Sequence, residues 1–386
     1  MTCGGFPPPP LSDGIVPIIK IRGAEMTRSL KISRTLTGST AGIDPSYSKQ
    51  WAWDKIEVMQ AWQLIEELRC RQSIFEEPVA VAIVDWGIQR DHEAFGPELV
   101  APGASVIPTG NGNFGDDDGH GTMLAGTIAG VVTNVPGGGR AVSLVRLLAV
   151  KFIDVRNPPM SDNAARAIRY AVDAGAKIIN ASWDDGLNSR ELRDAIKHAE
   201  DNNVLVVVAA GNGGGNNADY PAFPASLRFT NMITVMASDE EDQKPGFSNY
   251  GDNVDIAAPG LNIISTSPYL CRPQASLSPF DIPPYRRYSG TSPAAAHVSG
   301  AAALLLSIKP NWTPQEIRAC LMEASDRITA LQPFCPEGRR LNLFRAVESA
   351  LLPANYLSGG VQTREVVRTR LRRSGSPSLI VSACAA

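Results

Sequence analysis

The stretch "DDDGHGTMLAGTIAG", residues 116–130, holds one of only four histidines in the chain, His120, between two glycines and behind three consecutive aspartates. An imidazole in that place can ligate a metal, neighbour a phosphate or carry a proton. Metal binding would need further His, Cys or carboxylate ligands at helical or loop spacing, and His92, His198 and His297 share no such pattern with it. The overlapping "DDDG" opens like a calcium loop, but no glutamate stands at the later position such a loop requires. "GNGNFG", residues 110–115, matches a dinucleotide fingerprint, yet it runs into aspartates that would repel a pyrophosphate, and no apolar helix follows directly. Proton transfer remains, and it needs a nucleophile to deprotonate and a carboxylate to hold the imidazole tautomer. Asp85 closes the apolar run "VAVAIV", and Ser292 lies in "SGTSPAAAHVSGAAALLL". Each has an ordinary reading: a strand-end turn former for Asp85, a helix cap or packed residue for His120, an N-cap for Ser292. Their conjunction is what points to chemistry. His297, five residues past Ser292 and more than a helical turn on, reads as a packed helix residue.

The elements that must position these groups are legible as periodic runs. "VAVAIV" (79–84), "AKIINAS" (176–182), "VLVVVAA" (204–210) and "MITVMAS" (232–238) are apolar without polar alternation, as strands covered on both faces are. Between them lie helical patterns at 161–175 and 188–202, and a third at 313–325 that opens with the capping box "TPQE". Strands alternating with helices predict an open, doubly wound α/β fold, a mostly parallel sheet flanked by helices. Asp85 then stands at the carboxyl edge of a parallel strand, where such sheets build sites. Ser292 falls at or near the N-cap of a long small-residue helix, with Pro293 suited to the first helical position and the helix dipole favouring developing negative charge. The expected organisation is an irregular extension over 1–42, one domain over 43–352 and a basic tail over 353–386.

The motifs "VAIVDWGI", "GHGTMLAGTIAG", "VVVAAGNGGG", "YPAFPAS" and "YSGTSPAAAHVSGAAALLLSIKPNWT" resemble, in order and spacing, the signatures of the subtilisin-like serine endopeptidases, in which the triad runs Asp, His, Ser along the chain. The resemblance extends from "DPSYSKQWAWDKIEVMQAW" to "LNLFRAVESALL". It implies Asp85, His120 and Ser292 as the triad and Asn212 as the oxyanion-hole side chain. It implies a substrate-binding wall in "NASWDDG", with Ser182, Trp183, Asp184 and Asp185, and adds Gly211 and Asp219 on the substrate side. Asp219 takes the position that commonly lines the primary specificity pocket. The carboxylates of Asp184, Asp185 and Asp219 then favour Arg or Lys before the scissile bond, unless Asp219 caps its own turn and the other two face solvent. Gly119 and Gly121 are expected to leave room around the imidazole, and Ala125, Gly126 and Ala129 to let the following helix pack closely. The three aspartates read as a solvated loop that biases the imidazolium.

Departures from the family pattern bear on the chemistry. Pro293 and Ala296 replace the usual Met and Pro, but the oxyanion donor is the N–H of Ser292 itself, so no catalytic hydrogen bond is lost. Trp86 stands where a small hydroxyl residue is usual and would narrow the pocket for the residue two before the scissile bond. Ala94 occupies a position where many members keep a calcium-binding aspartate, and "VVTNVPGGGRAVS" is not close to the usual loop, which puts the strong structural calcium site in question; Asp91 and Asn134 are the nearest candidates to rebuild one. The chemistry itself calls for no cofactor. Secreted relatives carry a signal peptide and a folding prodomain, whereas here some forty irregular residues precede the catalytic region, as in a fragment or in a chain that folds by another route. The alternatives to an active endopeptidase are a catalytically silent relative that binds peptides and an acyl transferase using the same residues.

Composition excludes other classes. With 386 residues, 44% of them hydrophobic, the chain can bury a large core. A net charge of −3 with basic residues spread out, apart from a cluster near the C-terminus, gives no nucleic-acid footprint. No transmembrane segment and no signal peptide are read, so the compartment stays open, secretion being implied only by the resemblance. A peptide or protein substrate is the expected partner, met by a monomer. Among six cysteines without a CxxC pair, Cys320 and Cys335 are the expected disulfide.

Overall fold

Successive residues of the strand Val79–Asp85 (β1) feed two different cores, which is why it reads as an unbroken apolar run: Val81 and Ile83 join one cluster, Ala82 and Val84 the other. The computed structural model describes residues 50–69, 78–96, 98–108, 112–133, 144–154, 161–184, 188–268 and 285–351. The extensions over 1–42 and 353–386, and Asp185, lie outside the described residues.

The remaining strands are Val100–Ser105 (β2), Val145–Lys151 (β3), Ile178–Ala181 (β4), Leu205–Ala209 (β5), Met232–Ser238 (β6), Ile256–Pro259 (β7), Ile263–Thr266 (β8), Tyr285–Tyr288 (β9), Asp326–Arg327 (β10) and Arg339–Arg340 (β11). The main sheet has nine strands in the order β10-β11-β7-β6-β5-β4-β1-β3-β2. Every pair is parallel except β10–β11; β8 and β9 form a separate antiparallel ribbon. The chain lays β2 and β3 on one side of β1 and then crosses to β4 on the other, so the direction of winding reverses at β1. Crevices outside the carboxyl ends of strands at such a reversal are where open α/β sheets bind ligands.

The helices are Trp51–Lys55 (α1), Val58–Arg69 (α2), His120–Thr133 (α3), Ser161–Asp173 (α4), Arg190–Asp201 (α5), Thr291–Ile308 (α6), Pro314–Ala324 (α7) and Leu343–Leu351 (α8). α3 and α6 pack on the face of the sheet that carries Val81, Leu147 and Val207, and α4 and α5 on the face that carries Ala82, Leu148 and Val206. α5 is capped by Ser189, whose Oγ accepts from Leu192 N, and α7 has the anticipated capping box between Thr313 and Glu316. α6 is long and apolar enough to cross a bilayer by composition, but it is buried along its whole length as the central helix of the domain. The expected Cys320–Cys335 disulfide does not form. Cys320 sits in the large core with its Sγ donating to the Ala346 carbonyl, while Cys335 belongs to a separate small cluster with Met236 and Leu331 and donates to Arg339; both are free thiols.

Candidate active site

Asp85 ends β1 fully buried, which a carboxylate tolerates only with partners. Its Oδ1 accepts from Trp86 N at 2.9 Å, and both carboxylate oxygens lie 2.9 Å from Nδ1 of His120. Because a carboxylate only accepts, Nδ1 carries the proton and Nε2 is left as the basic nitrogen. Burial opposes protonation of this imidazole, but the charge and hydrogen bond of Asp85, with smaller contributions from Asp118 and Asp116, outweigh it and hold its pKa above 6.5.

His120 is the first residue of α3, and the loop before it, although two of its three aspartates are exposed, is hydrogen-bonded to the helix start. The Asp116 carboxylate accepts from Gly119 N at 2.8 Å, Asp118 N at 3.1 Å and Thr122 N at 2.7 Å, so it takes up N–H groups that a helix start leaves without partners. Burial raises the Asp116 pKa despite these bonds. Asp117 pairs with Lys151 Nζ at 2.8 Å, and of the three aspartates Asp118 and Asp117 alone are exposed. Both flanking glycines meet a backbone requirement. Gly119 has φ +105°, and a Cβ on Gly121 would stand 2.0 Å from the Gly87 carbonyl oxygen, so α3 begins hard against the turn that follows Asp85.

Ser292 is the second residue of α6, with Gly290 as the N-cap and Pro293 in the third position rather than the first. Its Oγ donates to the Ser182 carbonyl at 3.2 Å, and the Ser182 hydroxyl lies 3.2 Å from both the Ser292 carbonyl and Asn180 Oδ1. Asn180 in turn donates to Ser299 on α6 at 3.1 Å. This buried ladder ties the first turns of α6 to the end of β4. The β1–β4 register aligns Ile83 with Asn180, and two residues on it sets Asp85 level with Ser182. The Asp85–His120 pair and the Ser292 turn therefore stand at neighbouring strand ends, with Ser292 Oγ bonded to Ser182 rather than to His120.

Beyond β5, Asn212 Oδ1 accepts from Thr291 N at 2.9 Å and Thr291 Oγ at 3.1 Å, and Thr291 Oγ accepts from Gly211 N at 3.2 Å. These bonds fix the amide orientation and leave the exposed Asn212 NH₂ available beside the helix start. The substrate-wall residues divide. Ser182 is on the ladder just described. Trp183 is buried in the α4–α5 core, its ring 5.0 Å from that of Phe152, so the indole is packing rather than wall. Asp184 is exposed and accepts from Phe223 N at 3.3 Å; Asp219 is exposed in the turn at 216–220, where its own N–H donates to the Asn216 carbonyl. His297 is buried in α6 with Nδ1 donating to the Pro293 carbonyl at 2.9 Å, and burial pushes its pKa down to about 4, as a packed neutral residue. Ala94 is buried in the core, its N–H donates to His92 Nδ1 and its side chain offers no oxygen; 134–143, including Asn134, lie outside the described residues.

Two residues of this region escape a reading of the sequence. Nothing distinguishes Asp116 from its two aspartate neighbours, and the signal of Lys151 is only that a buried strand ends in a cation, which must find a partner.

Comparison with known proteins bears on the fold and the family. The family model described as Peptidase_S8, subtilase family, matches residues 76–349. Thermitase of Thermoactinomyces vulgaris is 33% identical over 313 residues, covering 79% of this chain and 98% of the relative. Subtilisin Savinase of Lederbergia lenta is 35% identical over 241 residues, covering 62% of this chain and 80% of the relative. A solved structure of a protease from Pseudoalteromonas arctica PAMC 21717 superposes with a TM-score of 0.63 at 25% identity, covering 80% of this chain and 98% of that one.

Proposed function

Because the chain belongs to the subtilase family of serine-type endopeptidases, we propose that Asp85, His120 and Ser292 are its triad and Asn212 its oxyanion donor. The single observation that supports this most is the 2.9 Å hydrogen bond from His120 Nδ1 to buried Asp85, on the same sheet edge as Ser292 and the exposed NH₂ of Asn212. Ser292 Oγ turns from the Ser182 carbonyl, gives its proton to His120 Nε2 and attacks the peptide carbonyl. Asp85 stabilises the imidazolium, which then protonates the leaving amine, and water resolves the acyl-enzyme by the same steps. The oxyanion is held by Asn212 Nδ2 and by the Ser292 N–H, one of the helix-start donors without an intrahelical partner. Labelling by a fluorophosphonate probe, abolished in Ser292→Ala, tests the assignment; an unlabelled wild-type protein overturns it in favour of a silent peptide binder. Asn212→Ala is expected to lower kcat by about 10²–10³ with little change in KM, a magnitude taken from removal of one such donor in a subtilisin and not obtained from this geometry.

A preference for Arg or Lys before the scissile bond belongs to the same proposal. Asp184 is engaged by a backbone N–H, whereas Asp219 is exposed and carries the reading. Matched chromogenic peptides differing only in Arg against Leu at that position, compared by kcat/KM, are expected to favour Arg, and Asp219→Asn to erase the difference. Faster cleavage of the Leu peptide, unaffected by the substitution, removes Asp219 from the pocket.

A further inference from the structure

We propose that Lys151 is a positioning residue for His120: from the end of β3 it holds the acidic loop against the sheet edge and so keeps the imidazole on Asp85. The inference rests on the triad reading above. A lysine that is only 5% exposed is costly unless its ammonium has good partners. Lys151 is the register partner of Asp85, yet its Nζ bonds elsewhere, to the Gly115 carbonyl at 2.9 Å and Asp117 Oδ1 at 2.8 Å. Asp85 thus keeps its oxygens for His120 and the Trp86 N–H. The two residues Lys151 grips flank Asp116, whose carboxylate gathers the N–H groups of Asp118, Gly119 and Thr122. One residue earlier, the Phe114 carbonyl accepts from Ile88 N at 3.1 Å. Every residue from Phe114 to Asp117 is therefore tied down, and His120 follows three residues later. The Thr122 hydroxyl accepts from Gln89 N at 2.9 Å and completes the clamp on the other side of the histidine. The imidazole is placed by this frame, because among the described residues the polar partner of its ring is Asp85.

The test is Lys151→Met in the full chain, read by steady-state kinetics on a peptide substrate and by the proton resonance of His120 Nδ1–H. Misplacing a catalytic group by a fraction of a bond length acts on kcat, so the expected result is a loss of about 10–100-fold in kcat with KM near the wild-type value, together with loss or broadening of the resonance. Lys151→Arg, which keeps the cation, is expected to restore most of both. A kcat within about twofold of wild type overturns the proposal, since correct placement is worth more than that. So does a fall in kcat with the resonance unchanged, because Lys151 would then act elsewhere. If Lys151→Met does not fold, Asp117→Asn breaks the same ion pair from its exposed end and carries both readouts. A wild-type protein inert towards peptides would overturn the triad reading, and the resonance alone would then decide whether Lys151 places the histidine.

Discussion

Nδ1 of His120 is committed to Asp85, so a proton leaving Ser292 has only Nε2 to go to. Residues that share one proton path fail together. Ser292→Ala and His120→Ala are expected to fall to a similar residual kcat, with the double variant little worse, and additive losses in the kinetics would dissolve the triad. The pH dependence has a definite sign. His120 must be neutral to act as base, and its pKa is held above 6.5 because Asp85, Asp118 and Asp116 outweigh the effect of burial. The acid limb of kcat/KM is therefore expected at higher pH than for a free imidazole. Asp118 is exposed and its side chain caps nothing, so Asp118→Asn should move that limb to lower pH without lowering the plateau. High salt should shrink the shift, since an exposed charge is screened; a limb unmoved at low salt would exclude Asp118 from the field at the histidine. Asp85, His120 and Ser292 were legible in the sequence because each ends or begins a recognisable run, whereas Asn212 came only from the family resemblance. Asp116 and Lys151 were not, because their roles depend on which carboxylate folds back and on contacts across more than thirty residues of chain.

Among the elements, β1, β4, β5 and β6 could be read because both of their faces are buried and no charged residue interrupts the pattern until the strand ends. β3 could not, since exposed Arg146 and the terminal Lys151 break its run. β2 carries Pro102 and Gly103 and shifts register between Ala101 and Ala104, as an edge strand can. The small residues of α3 and α6 do have the packing role their sequence suggests, and Gly300 shows its limit. A Cβ there would lie 2.8 Å from Val131 Cβ and 3.3 Å from the Ile128 carbonyl. In an open helix Gly→Ala stabilises by about 1 kcal/mol, whereas forced overpacking costs about 1–3 kcal/mol. Overpacking should win: Gly300→Ala is expected to lower Tm, and adding Val131→Ala to recover part of the loss. A raised Tm in the single variant would mean that the α3–α6 contact yields easily.

At the scale of the whole domain, distant parts of the chain are drawn together by one ionic cluster. Arg340 is 8% exposed and donates to both oxygens of Asp242 and to Asp326; Arg345 and Asn342 also reach Asp326, and Lys55 of α1 reaches Asp242. Burial works to raise the Asp326 pKa, but the bonds from Asn342, Arg340 and Arg345 prevail and hold it below 3.8. A carboxylate with a depressed folded-state pKa contributes stability that is present above its unfolded value and is lost as pH falls through the folded one. Asp326→Asn is therefore expected to lower Tm at pH 7, and the gap from wild type to narrow once pH drops below about 4, near the unfolded carboxylate value. A gap that stayed constant down to acid pH would show that packing, not charge, makes Asp326 matter.

The groups proposed for chemistry follow carboxyl ends of strands, Asp85 after β1, Ser182 after β4 and Asn212 after β5, or stand at helix starts beside them. The amino ends of the same strands have a different use. The turn at Asn202–Asn203 that leads into β5 is exposed, and the five residues of the strand, spanning about 16 Å at the usual rise of 3.3 Å per residue, lie between it and Asn212. A molecule tethered to a solid support through that turn would hold its cleft outward, towards the solution, and the tether and the substrate would never compete for the same side of the sheet.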